Sequence, residues 1–384
     1  MSRRFGFVSW CVCGSFLVTL NGSAGAQAPP SFFKQLDKNG DGKVTPDEFP
    51  ARIARLFEQI DANGDGAITP EEDAAFRRVT APGDAPRLPA SVKGEFDVPY
   101  ADGKNVHQKL DLLLPKEPAD GEPLPVIVYI HGGKWSGGSK RDGIPFLVHS
   151  VAAGNYVGVT IDYRLSNEAT WPAQIHDCKA ALRWLRAHAK KYGLDPQRIG
   201  VIGTSAGGHL AAMLGTSGNI DRLEGKVGDN LDESSRVSCV VDEFGPSELL
   251  AMSGFPSDIE HDSPDSPESR LIGGALQDHK DAARSASPIT YVSADDPPFL
   301  LIHGTDDPLV PYDQSERLLG ALEEERVDAR LIKVQGGGHG GFRSAELDRR
   351  IRLFFDKHLR HLEDVEIPDD PIQPGQKRAE AAAK

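Results

Sequence analysis

Ser205 stands in Gly203-Thr204-Ser205-Ala206-Gly207-Gly208, between a strand-like run, Arg198 to Ile202, and a helix-like run to Leu214. A serine hydroxyl is a poor nucleophile until a base takes its proton. G-x-S-x-G at a strand-to-helix turn suits that chemistry. Small flanking residues permit the strained turn that lifts the serine oxygen clear, and the helix N-terminus favours negative charge. Upstream, His131-Gly132-Gly133-Lys134-Trp135 follows the apolar run Val126–Ile130. Two glycines there let backbone N–H groups approach a developing oxyanion, so the expected hole consists of the N–H groups of Gly133, Lys134 and Ala206. The plainer reading of His-Gly-Gly is a tight turn.

The acid and base are expected later in the chain. His339 lies in Gly336-Gly337-Gly338-His339-Gly340-Gly341, a flexible loop suited to a histidine that takes the serine proton and later donates it. Asp307, in His303-Gly304-Thr305-Asp306-Asp307-Pro308-Leu309-Val310-Pro311, is the expected carboxylate, with Asp306 as rival. His131, His209 and His303 are read as loop braces.

A second constellation is built for a hard cation. Asp37, Asn39, Asp41, Lys43 and Glu48 occupy positions 1, 3, 5, 7 and 12 of one loop. Asp61, Asn63, Asp65, Ala67 and Glu72 repeat that register in a second. Side-chain oxygens at 1, 3 and 5, a backbone carbonyl at 7 (all that Lys43 and Ala67 supply) and a bidentate Glu at 12 satisfy calcium. Gly42 and Gly66 permit the turn at position 6. Both loops resemble the EF-hand; a pair of Asx-rich turns is the alternative. Residues 49–60, with Ile53, Leu56, Phe57 and Ile60 on one face, allow only a single short helix between the loops. That points to a structural or docking role rather than switching. Chelation is expected to lower this segment's melting temperature, and no change would count against calcium binding.

The elements that position these residues follow from patterning. The strand-like runs are Val126–Ile130, Val157–Ile161, Ile199–Ile202, Phe299–Ile302 and Leu331–Val334. Helical spacing joins Ile175, Cys178, Leu182, Leu185 and Ala189, and again Leu347, Ile351, Phe354, Phe355, Leu359 and Leu362. Phe96-Asp97-Val98 and Leu110–Leu114 suggest an antiparallel hairpin leading into a mostly parallel sheet. The polar, Pro-rich section 244–297 is expected to run over the sheet edge. Arg3-Arg4, an apolar stretch from Phe5 to Leu20 and Ala24-Gly25-Ala26 describe a cleavable signal peptide over 1–26, hence a secreted or periplasmic protein. A helical calcium module spans 31–80, a Pro/Ala-rich linker 81–93, an α/β domain 94–362 and a disordered tail 363–384.

The 384 residues carry 43 basic and 57 acidic side chains, a formal charge of -14. That balance argues against nucleic acid, which needs a basic surplus or patch. No segment is apolar enough for a membrane span. Of the four cysteines, Cys178 and Cys239 fall in the α/β part, where buried free thiols are preferred over a disulfide.

Residues 94 to 362 resemble an α/β-hydrolase of the bacterial carboxylesterase and feruloyl-esterase-like branch, related to the hormone-sensitive-lipase group. The likeness rests on His131-Gly132-Gly133-Lys134-Trp135, Asp162-Tyr163-Arg164-Leu165, Gly203-Thr204-Ser205-Ala206-Gly207-Gly208-His209, the His-Gly-x-x-Asp-x-x-Val-Pro segment ending at Pro311, and Gly338-His339. Lys134 replaces the third Gly common in lipase-like relatives and sets a long side chain beside the acyl site. In the His-Gly-x-x-Asp register the acid falls on Asp307. The resemblance implies a serine esterase with a Ser205-His339-Asp307 triad, no catalytic cofactor, and a small ester or acylated glycan as substrate. An aryl-formamide or peptide hydrolase on the same triad is the alternative. So is a calcium-dependent adhesion protein whose hydrolase domain is inactive and which docks to a protein or cell surface.

Overall fold

The computed structural model describes residues 36–49, 57, 60, 66–70, 86–119, 121 and 123–373. The signal-peptide segment, Asp61, Asn63, Asp65 and Glu72, and residues 374–384 lie outside the described residues.

An antiparallel hairpin opens the sheet. β1 (Val92–Pro99) pairs with β2 (Lys109–Pro115), with a register shift between Glu95 and Val98. β3 (Leu124–Ile130), β4 (Val157–Ile161), β5 (Leu194–Thr204), β6 (Cys239–Glu243), β7 (Phe299–Gly304) and β8 (Ala329–Val334) follow. The sheet has eight strands in the order β1-β2-β4-β3-β5-β6-β7-β8. β2 joins β4 antiparallel, and every pairing from β4 to β8 is parallel. β3, β4, β6 and β7 are buried at every residue. That is why they read as unbroken apolar runs rather than alternating ones: both faces are covered.

Two hydrophobic clusters sit on opposite faces, and the side-chain period of two assigns the strand residues to them. Val126, Val128 and Ile130 join one cluster, Ile127 and Tyr129 the other. The covering helices are α1 (Ile144–Ala152), α2 (Ala173–Ala187), α3 (Ala189–Tyr192), α4 (Ala206–Thr216), α5 (Pro267–Ile272), α6 (Lys280–Ser285), α7 (Asp313–Glu324) and α8 (Ala345–Leu359). Ile175, Cys178, Leu182 and Leu185 of α2 pack on the first cluster; Leu347, Ile351, Phe354, Phe355 and Leu359 of α8 pack on the second. Each such side chain contributes about 2 kcal/mol on burial. Ser344 caps α8 by accepting from Leu347 N–H, and Gly193 ends α3 in the left-handed region, at φ 65°. Cys178 and Cys239 are buried free thiols. No described helix is long and apolar enough to cross a membrane.

Three boundaries differ from the sequence expectation. β1 starts at Val92, so the α/β domain begins inside the expected linker. Helix α8 stops at Leu359, His361 takes a positive φ of 56°, and Leu362 is exposed rather than part of the apolar face. Residues 363–373 of the expected tail are anchored at two side chains. Ile367 and Ile372 are buried, and Ile372 bridges Val334 in parallel. Ile372 N–H donates to the Lys333 carbonyl at 2.8 Å, and Arg350 donates to the carbonyls of Pro368 and Asp370. This segment satisfies backbone groups that the edge strand β8 would otherwise leave open.

Candidate active site

The turn that carries Ser205 is held by backbone contacts that tolerate only glycine. A Cβ on Gly203 would lie 2.1 Å from the Gly207 carbonyl oxygen, and one on Gly207 2.0 Å from that of Ile130. Ser205 between them adopts φ 55°, ψ -119°, a strained conformation for a side chain with a Cβ. Its N–H donates to the Glu243 carbonyl at 2.8 Å, which ties the turn to the end of β6.

The loops after β7 and β8 bring the other two residues to it. His339 Nε2 lies 2.9 Å from Ser205 Oγ, and His339 Nδ1 lies 2.7 Å from Asp307 Oδ2. With Nδ1–H donating to the carboxylate, Nε2 is left as the acceptor for the serine proton. Burial would push the Asp307 carboxyl up, but hydrogen bonds from His303 and His339 outweigh it and hold it well below the usual carboxylate range. Asp307 Oδ1 accepts from the N–H groups of Leu309 and Val310 at 2.8 and 3.0 Å. Asp306, the rival, is exposed and accepts from its neighbour Thr305.

His303, expected from the sequence as a loop brace, sets its Nε2 3.1 Å from Asp307 Oδ2 and 3.1 Å from the Val310 carbonyl, while Nδ1 faces Ser315 Oγ at 2.7 Å. It therefore holds the Asp307 carboxylate that contacts His339. Its position four residues before Asp307 was the available signal. Phe244 sets its ring edge-on to His339, 4.7 Å between centroids, a contact no pattern announces.

Gly133, Lys134 and Ala206 lie on the wall of the cavity that contains Ser205 and His339. Gly133 takes φ 110°, and Lys134 and Trp135 take 57° and 54°. Two successive non-glycine residues in that region are held by Trp135, whose carbonyl accepts from Ser166 at 2.7 Å and whose indole donates to His209 Nδ1 at 3.1 Å. Burial depresses His209 to about 4, so it stays neutral, and its Nε2–H donates to the Ala286 carbonyl. His131 stacks on Tyr163 at 4.4 Å, and the Tyr163 hydroxyl donates to the His131 carbonyl. Asp162 accepts from Lys140 N and Nζ, and Arg164 clamps Asp177. The Asp-Tyr-Arg-Leu segment thus locks the glycine loop. The cavity has a volume of 1380 Å³; Phe244, Pro246, Ile259 and Pro267 bring section 244–297 to its wall.

Beneath helix α4, Asp242 is buried, accepts from Gly245 N–H at 2.8 Å, and is pushed by burial up to about 7. An unfolded Asp titrates near 3.9, so between about pH 4 and 7 the unfolded chain ionises while the fold keeps its proton, and stability falls. Asp242→Asn keeps the acceptor and removes the cost. It is expected to stabilise by about 4 kcal/mol at pH 8 and by little at pH 3.5. Urea unfolding at the two pH values checks this; equal effects would contradict it.

In the first calcium-type loop, Asp37 accepts from Gly40 and Gly42, Asn39 from Asp41, and Asp41 from Lys43. Glu48 reaches back to the N–H groups of Lys38 and Asn39 at 3.0 and 3.2 Å, closing the loop. Hydrogen bonds from Thr45, Asn39 and Lys38 keep its carboxyl below the ordinary value. Val44 and Ile68 exchange both backbone hydrogen bonds at 2.9 Å, which couples the two loops above Leu36, Phe49, Phe57 and Ile60. The oxygen donors suit calcium. They accept from loop amides, and among the described residues no three acidic, His or Cys side chains converge on one point.

A mostly parallel eight-stranded sheet flanked by helices, with a serine at a strained strand-to-helix turn, is the fold of an α/β-hydrolase. The model of the BD-FAE family matches residues 110–322, and the EF hand model matches 31–50 and 53–72. The chain belongs to the BD-FAE family, with an EF-hand pair ahead of the hydrolase domain. Esterase LipC of Mycobacterium tuberculosis is 31% identical over 261 residues, 66% of this chain and 63% of that protein. Esterase LipQ of the same organism is 32% identical over 59% of this chain and 52% of its own length. The chain thus spans about half to three-fifths of these curated relatives. A solved structure described as a truncated form of carbohydrate esterase from gut microbiota is 34% identical, with TM-score 0.65, covering 70% of this chain and 96% of that one. An esterase of Thermogutta terrifontis is 25% identical, with TM-score 0.55, covering 71% of this chain and 95% of its own.

Proposed function

We propose that the protein is an exported serine esterase that hydrolyses carboxylic esters through an acyl-enzyme. Ser205 Oγ attacks the ester carbonyl as His339 Nε2 takes its proton; the carbonyl electrons move to an oxyanion met by the N–H groups of Gly133, Lys134 and Ala206. Collapse expels the alcohol, which receives that proton from His339. Water, deprotonated by the same histidine, then releases the acid and restores Ser205. Asp307 holds His339 in the tautomer both half-reactions need. The observation that carries this reading is the continuous Ser205-His339-Asp307 relay at 2.9 and 2.7 Å opening into the large cavity.

The substrate class is a small ester or an acylated glycan. The carbohydrate-esterase relative supports the glycan, and an 1380 Å³ cavity accommodates a sugar unit. The EF-hand pair binds calcium in a structural or docking capacity through Asp37, Asn39, Asp41 and Glu48, their counterparts in the second loop, and the carbonyls of Lys43 and Ala67. The N-terminal segment supports export to the periplasm or medium. A panel of p-nitrophenyl esters and acetylated or feruloylated sugars tests the esterase reading. Turnover of short acyl esters is expected, and failure to hydrolyse any member would overturn it.

A further inference from the structure

A second cavity, of 560 Å³, opens at the opposite end of the parallel strands from Ser205. Leu124 and Val157, the first residues of β3 and β4, lie on its wall, whereas Ser205 follows the last residue of β5. Four exposed lysines converge on it: Lys93 from β1, Lys116 just after β2, and Lys190 and Lys191 from α3. Glu95 is the only acid among the described residues that line it. Both of its oxygens are taken, Oε1 by Lys93 at 2.9 Å and Oε2 by the Tyr192 hydroxyl at 3.1 Å. Lys191 donates to that hydroxyl at 2.7 Å. The ammonium groups of Lys116 and Lys190 have no hydrogen-bond or ion-pair partner among the described residues.

We infer that this cavity binds a small polyanion, a molecule carrying two or more carboxylate or phosphate groups, away from the catalytic centre. The chain has a formal charge of -14, yet here four ammonium groups face one carboxylate. Like charges in one concavity repel, and a bound anion relieves that cost. The C-terminus of α3 favours Lys190 and Lys191 on its own account, but it has no hold on Lys93 and Lys116, which arrive from the hairpin. Glu95 reports the local field: the hydrogen bond from Lys93, that from Tyr192 and the charges of Lys93 and Lys191 keep its carboxyl below the usual value. Lys116 and Lys190 are available to turn to the ligand, and Leu114, Pro115 and Val157 offer apolar surface to its carbon skeleton. The concave shape and the volume suit a small molecule. A long polyanion would meet the acidic excess of the rest of the chain. None of these residues lines the cavity of Ser205, so the inference stands apart from the esterase reading.

Isothermal titration calorimetry of the full chain with glutarate and with phosphoglycolate, at low ionic strength and constant free calcium, tests this. A Kd below about 1 mM is expected for at least one of them, and the tighter of the two names the anionic group. Lys116→Gln/Lys190→Gln should weaken that binding by about tenfold or more. Lys226→Gln/Lys280→Gln removes the same charge from exposed positions elsewhere and should change it by less than about twofold. Absence of binding by both ligands in the wild type would overturn the inference. So would equal weakening in the two double variants, which marks net charge, or much tighter binding of a heparin fragment, which marks an extended polyanion. Competition of the bound ligand with p-nitrophenyl acetate would also overturn it, by placing the ligand beside Ser205.

Discussion

Ser205→Ala is expected to lower kcat on p-nitrophenyl acetate by about 10⁵- to 10⁶-fold, because removing the nucleophile of a triad costs nearly all the covalent catalysis. The residual rate comes from the oxyanion donors and binding alone. Stability should hardly change. Alanine adopts φ 55° with the same strain as serine, and the lost hydroxyl's partner in the fold is His339 Nε2. A variant with an unchanged melting temperature and more than a tenth of wild-type turnover would show that another group attacks the ester.

Asp307→Asn carries the next largest effect, an expected loss of about 10⁴-fold in kcat. The two oxygens have separate duties: Oδ1 takes the amides of Leu309 and Val310, and Oδ2 faces His339 Nδ1 and His303 Nε2. An asparagine that keeps its oxygen on the amides turns its NH₂ toward both histidines. His339 must then carry its proton on Nε2, where it cannot accept from Ser205. Asp306→Asn, one residue away on an exposed side chain, should stay within twofold. Comparable losses in both variants would remove Asp307 from its assigned place, and kinetics of the two variants decide it.

Much of the site was legible because its residues are fixed by backbone demands. Gly203 and Gly207 sit where a Cβ would strike a carbonyl, and His131-Gly132-Gly133 sits where the chain turns at a strand end, so residue type reports geometry directly. The buried strands were legible for a related reason: β3 and β4 have no solvated face to dilute their apolar run. Legibility fails where partners come from far along the chain. Ile367 and Ile372 show no period, since what orders them is edge strand β8 and Arg350. Section 244–297 buries Leu249, Leu271, Leu276 and Tyr291 in the core at no regular spacing, and long-range hydrogen bonds such as His209 to Ala286 across 77 residues fix it. The contact of His303 with Asp307 is not announced by pattern, because a histidine gains its role from what it faces.

Mass spectrometry after reaction with a fluorophosphonate asks directly whether Ser205 is the activated nucleophile. One adduct per chain on the peptide containing Ser205, formed in parallel with loss of esterase activity and absent from Ser205→Ala, is the predicted result. Full loss of activity with the adduct on any other residue, or ester hydrolysis that persists with Ser205 fully labelled, would contradict it.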